Sequence, residues 1–170
     1  VVEQLGDVFY TRHVEVMEKM RKSAQEAILW PWFEICDRVC IDSTGLGIGW
    51  ADDAQDKFGP HRVEGVNFSG PVKEALAYPL RGAMEDRMVR IPEDPKIRAD
   101  LRKVQKTTTA AGNIRFVADG DDSTKVNGHA DRFWALALAL HAGSSPSAPI
   151  EYESGGPRDS SQPLGDFIYG

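Results

Sequence analysis

The stretch GHADRFWALALAL, residues 128 to 140, constrains this chain more than any other. Phe133, Trp134, Leu136, Leu138 and Leu140, with alanines between them, leave almost no polar face. A helix here has to be packed on several sides. Asp131 stands at its head, on a side predicted to face a sheet. A buried carboxylate without a partner is pushed to its neutral form or costs several kcal/mol, so Asp131 needs a cation. Three sources are open: Arg132 or a lysine elsewhere, the positive end of the helix dipole, or a divalent metal ion.

The rest of the chain reads as alternating strands and helices. VVEQLGDVFYTRHVEV predicts a hairpin with a turn at Leu5-Gly6-Asp7 and a second strand from Val8 to Val16. The hairpin opens in mid-strand, which implies sequence upstream of Val1. Lys19 to Phe33 has helical spacing until Pro31 ends or kinks it. RVCID is a short buried strand ending at Asp42, followed by the glycine turn STGLGIG and a helix in WADDAQDKF. HRVEGVNF gives another strand, and a long helix follows with Ser69 as its cap and Pro79 interrupting it. VRIP is an edge segment, DPKIRADLRKVQ a helix capped by Asp94, and KTTTAAGNIRFVAD a hairpin turning at Ala111-Gly112-Asn113. From about Gly143 the chain is rich in Gly, Ser and Pro without apolar period, which predicts a disordered tail over 143–170. This is an α/β domain over residues 1–142.

Composition narrows the partners. With 41% hydrophobic and 27% charged residues, 170 residues suffice for one domain with its own core. A formal net charge of −6 argues against a surface coated in positive charge, while leaving room for a local basic face on DNA. No apolar run approaches the roughly 18 to 20 residues of a membrane span, and no signal peptide is visible, so a cytosolic location is expected. Cys36 and Cys40, spaced C-x3-C, have no second pair and no nearby histidine in sequence to complete a zinc site, and read as reduced packing residues.

Sites in open α/β sheets form at the carboxyl ends of strands, where Asp42 sits beside Gly45, Gly47 and Gly49. Asp42 is there either for chemistry or to turn the chain. A strand-end acid facing a helix acid, with hard oxygen ligands, suits Mg2+ or Mn2+ shared between Asp42 and Asp131. Two such ions clamp the attacking and leaving oxygens of a phosphodiester. His129 assists metal binding or proton transfer, or else caps the helix start. His13 is expected at the surface. Lys103, Lys106 and Arg115 suit phosphate contacts, or form an ordinary solvated hairpin. A rival dinucleotide-binding reading rests on the glycine turn and on Glu64 about 20 residues further on, but the spacing is G-x-G-x-G and Asp42 would repel a pyrophosphate.

The order CIDSTGLG, then VEGVNFSGPVKEALAYPLRGAMEDRMVRIPEDPKIRADLRKVQKTTTAAGNIRF, then GHADRFWALALAL resembles the C-terminal nuclease domain of phage terminase large subunits, of the Mu-like prophage type. The resemblance runs from about Val1 to Ala142. It implies an RNase H-like fold, a mixed central sheet flanked by helices. It also implies a two-metal, Mg2+- or Mn2+-dependent endonuclease that cuts concatemeric viral DNA during genome packaging. In such domains three acids hold the metals: one on the first strand, one ending a later inner strand and one on the closing helix. Asp42 matches the second and Asp131 the third. The first strand and its acid have no counterpart in the sequence, which implies an N-terminally truncated domain with weak or absent cleavage alone. No Walker-type phosphate loop occurs either. The implied partners are double-stranded DNA and, in the full-length parent, an ATPase domain in cis, a portal protein and a small terminase subunit, in the host cytoplasm. The alternative is a non-catalytic RNase H-like module that binds DNA or a packaging partner. An arginine paired with Asp131 would mark that module.

Overall fold

The structure, a computed structural model, describes residues 1–108, 114–118 and 130–144. The hairpin forms as read, with β1 (Val2–Leu5) antiparallel to β2 (Val8–Thr11) and Gly6 at φ 59° in the turn, a conformation that suits glycine. The second strand stops at Thr11 instead of Val16. Val14 and Val16 alternate but find no core and stay exposed, while His13 keeps its backbone bonds to Val1 and stacks its ring on Trp32 at 4.5 Å between ring centroids. An alternation without a partner strand makes no strand.

Helix α1 (Lys22–Ile35) runs through Pro31. The lost hydrogen bond is outweighed by apolar contacts on both sides of the proline: Leu29 and Trp30 before it, Trp32 and buried Phe33 after it, all packed with Ala54 and Val63. Then come β3 (Val39–Asp42), a 3-10 turn (Gly45–Gly47), α2 (Ile48–Phe58) and β4 (Val63–Val66), with β4 parallel to β3. Helix α3 (Gly70–Glu85) buries Leu76, Ala77 and Leu80 and tolerates Pro79 in the same way. Ser69 occupies its cap position, but its side chain bonds nothing there; Pro71 near the start leaves one fewer amide to satisfy. The short β5 (Val89–Arg90) lies parallel to β2. Helix α4 (Pro95–Lys103) is capped by Asp94, which accepts the Lys96 amide at 2.7 Å. Strands β6 (Val104–Thr108) and β7 (Ile114–Ala118) pair antiparallel, and α5 (Asp131–Ser144) closes the fold.

The period of two along β3 and β4 sorts their side chains onto two layers. Val39, Ile41 and the fully buried Val63 face α1 and α2. Cys40 and Val66 face the other layer, where Leu76 and Leu80 of α3 meet Phe133, Leu136, Ala137, Leu138 and Leu140 of α5. Helix α5 is packed on several sides, as its composition requires.

One central sheet is expected, and the structure has it in pieces: β1-β2-β5, β3-β4 and the β6-β7 ladder. Helix α5 packs against both β1 and β3. Over it, between β1 and β3, lies a groove of about 1680 Å³ lined by Val2 and Gln4, by Val39 and Ile41, and by Ala135 and Ala139. Among the described residues each of these two strands has a neighbour on one side only. Helix α5 continues past Gly143 to Ser144, whose hydroxyl donates to the Leu140 carbonyl at 2.9 Å. The remaining tail, the β6–β7 turn at 111–113 and His129 lie outside the described residues. Among those described, no helix is long and apolar enough to cross a membrane.

Candidate metal centre

Asp42 ends β3 with an exposed side chain. One carboxylate oxygen accepts the Thr44 amide at 2.9 Å, so the residue does turn the chain. Its other oxygen has no hydrogen bond among the described residues. The Thr44 hydroxyl accepts the Phe68 amide at 2.9 Å and ties this turn to the segment leaving β4. Gly47 packs directly on the strand end: a Cβ there would come within 1.9 Å of the Asp42 carbonyl oxygen. The glycine at 47 thus serves the chain's own backbone, which gives it a reason apart from any dinucleotide.

Asp131 opens α5, and the structure corrects its expected burial: the carboxylate is exposed. Ala130, wholly buried, takes the left-handed region at φ 55°, which costs an alanine about 1 kcal/mol. The chain turns sharply there, so the alanine methyl enters the core while the next side chain leaves it. Arg132, the adjacent cation, points elsewhere. Its guanidinium bonds Asp100 at 3.0 Å, and Lys103 reaches the same carboxylate at 3.2 Å. Asp100 is the buried charge of this region, 6% exposed. Burial works to raise its pKa, but the hydrogen bonds and charges of Arg132 and Lys103 hold it below the usual carboxylate value. Asp131 makes no ion pair among the described residues.

Asp42 and Asp131 line one cleft of about 410 Å³, together with Phe68, Lys73, Arg115 and Trp134. Of the three cations singled out in sequence, Arg115 lies here. Lys103 is held by Asp100, and Lys106 sits 5.5 Å from the Tyr78 ring centroid. In the ladder Lys106 pairs with Phe116 and Arg115 with Thr107, which puts the two cations on opposite faces. Lys73 was not legible in sequence. It is an ordinary early-helix lysine until the fold sets its ammonium 5.4 Å from the Trp134 ring and 5.9 Å from that of Phe68.

The model of the terminase RNaseH-like domain matches residues 1–142. Among solved structures, the large terminase nuclease from thermophilic phage G20c with bound magnesium is 30% identical, with a TM-score of 0.58 over 74% of this chain and 64% of that one. The same nuclease with bound cobalt gives 29% and 0.60, again over 74% and 64%. The large terminase nuclease domain of Thermus phage P74-26 gives 29% and 0.55, over 73% of this chain and 61% of that one. The chain therefore spans less than two thirds of each of these nuclease chains. No curated protein matches it. With the family model matching residues 1–142 of the 170 and the fold shared with these nucleases, the chain belongs to the terminase RNaseH-like domain family.

Proposed function

We propose that this domain is the DNA endonuclease of a phage packaging terminase, cutting phosphodiester bonds of concatemeric viral DNA, with Asp42 and Asp131 as ligands of Mg2+ or Mn2+. The observation that carries this reading is that two carboxylates from a strand end and a helix start line one open cleft and form no ion pair among the described residues. The donor set fits a hard divalent cation: the cleft's described lining offers carboxylate oxygens and neither thiol nor imidazole. When bound, the metal pair supplies charge stabilisation and an activated water at the scissile phosphate. Lys73 and Arg115 hold the flanking phosphates, and the Phe68–Trp134 wall limits how the backbone enters.

Two carboxylates are too few for a metal pair, and the groove between β1 and β3 suggests where the third acid belongs. Asp131 lines both the cleft and the groove, so a strand laid between β1 and β3 brings its side chains up to Asp131. We infer that this strand, supplied from upstream in the parent protein, carries the third acid, and that residues 1–170 alone cut weakly or not at all. In the packaging motor the domain would work beside an ATPase domain in cis, a portal protein and a small terminase subunit.

The test is nicking of supercoiled plasmid by protein that includes the upstream strand, with Mg2+ or Mn2+. Asp42→Asn or Asp131→Asn should each lower the rate at least about 100-fold, since a ligand shared by two ions is lost. Cutting at the wild-type rate by either variant overturns the metal assignment. Salt-sensitive DNA binding without metal-dependent cutting would instead mark a non-catalytic module.

A further inference from the structure

The layer that faces α5 carries a second set of donor atoms, separate from the acid cleft. Cys40 and Glu64 are direct partners in the parallel β3–β4 register, so their side chains emerge side by side. His141, in the last turn of α5, arrives above them. Its Nε2 is 3.3 Å from Glu64 Oε1, and the Cys40 thiol donates to Glu64 Oε2 at 3.7 Å. One donor atom from each residue lies within 4.8 Å of the others, and all three side chains are half-buried. Tetrahedral zinc with bonds of about 2.0–2.3 Å has ligand-to-ligand edges of about 3.3–3.8 Å. The edge between His141 Nε2 and Glu64 Oε1 already falls in that range, and the Cys40 thiol lies beside the same carboxylate.

The neighbours suit the same purpose. The Arg38 guanidinium bonds Glu64 Oε2 at 2.5 Å, which orients the carboxylate and leaves Oε1 turned toward His141. One thiol, one imidazole and one carboxylate make a borderline-soft set that favours Zn2+ over Mg2+. Cys36, four residues earlier, takes no part.

We propose that Cys40, Glu64 and His141 form a second metal site, for Zn2+ or a similar transition ion, that fastens the C-terminal end of α5 to the β3–β4 pair. Neutral His141 binds through Nε2, Glu64 through Oε1, and Cys40 as thiolate with its proton released to solvent; water completes the fourth position. The positive charge of Arg38 makes the site weaker than a closed zinc site with two or more thiolates.

Zn2+ is titrated into the intact chain in competition with a chromogenic chelator, and Co2+ serves as the optical probe. One equivalent of Zn2+ should bind, and the Co2+ form should show a thiolate-to-metal charge-transfer band. Cys40→Ser and His141→Gln should weaken zinc binding at least about tenfold, and Cys40→Ser should remove the band. Cys36→Ser and the Asp42→Asn/Asp131→Asn double variant should bind as wild type, which separates this site from the acid cleft. Wild-type protein without the band, or zinc binding unchanged in Cys40→Ser and His141→Gln, overturns the proposal. The wild-type spectrum decides even if a variant fails to fold.

Discussion

Asp131 and Asp100 meet the same stretch of α5 and end in opposite conditions. Asp100 is buried and held by Arg132 and Lys103, while Asp131, adjacent to Arg132 in sequence, is exposed and has no ion-pair partner among the described residues. The nearest cation along the chain thus goes to the carboxylate that could not be buried alone. The other carboxylate faces an open cleft with Asp42. An acid stabilised by internal cations supports a fold, and one left to solvent is available to a cation from outside. The contrast between these two acids can be tested directly.

The largest effect belongs to Asp100. Removing one partner of a buried ion pair typically costs about 3–5 kcal/mol, because the other charges stay desolvated. Arg132 and Lys103 remain 23% and 33% exposed and recover some water. Asp100→Ala should therefore destabilise by about 2 kcal/mol in urea unfolding at neutral pH. A loss below about 0.5 kcal/mol would show that the clamp contributes no more than a surface pair, and the comparison would fail.

A smaller effect is the acid limb. Because Arg132 and Lys103 hold the folded-state pKa of Asp100 below its unfolded value, near 3.9, the unfolded chain binds more protons in this window. The stabilisation is fully present above the unfolded pKa and is lost as pH falls through the folded one. Urea midpoints followed downward from pH 6 should drop below about pH 4, and Asp100→Asn should flatten that drop. An unchanged acid limb in Asp100→Asn would place the loss on other carboxylates.

Much of the fold was legible because its signals are local. The β3-turn-α2 unit, the Asp94 cap and the apolar closing helix all follow from period, glycine and capping chemistry within a few residues. Prolines misled where tertiary burial outweighed a broken hydrogen bond, as at Pro31. Asp42 and Asp131 could be named from position. The expected burial of Asp131 was wrong because it depended on the backbone of one preceding residue, Ala130. Lys73, and the meeting of Cys40 with His141 far along the chain, depend on packing between distant elements and leave no local trace.

The smallest expected effect lies on the other side of the comparison. If Asp42 and Asp131 are kept for an external cation, the fold should scarcely notice their neutralisation when no metal is present. Asp42→Asn retains an oxygen to accept the Thr44 amide, so its stability should match wild type. Asp131→Asn loses only the interaction of a charge with the start of α5, about 0.5 kcal/mol. Two exposed acids in one cleft also repel each other weakly, which works against even that loss. Thermal unfolding in chelator should therefore place both variants within about 1–2 °C of wild type, using the size scaling for a domain of this length. Mn2+ should then raise the melting temperature of wild type more than that of either variant. Marked destabilisation in chelator would mean that these acids hold the fold together as Asp100 does, and the distinction between supporting and available carboxylates would collapse.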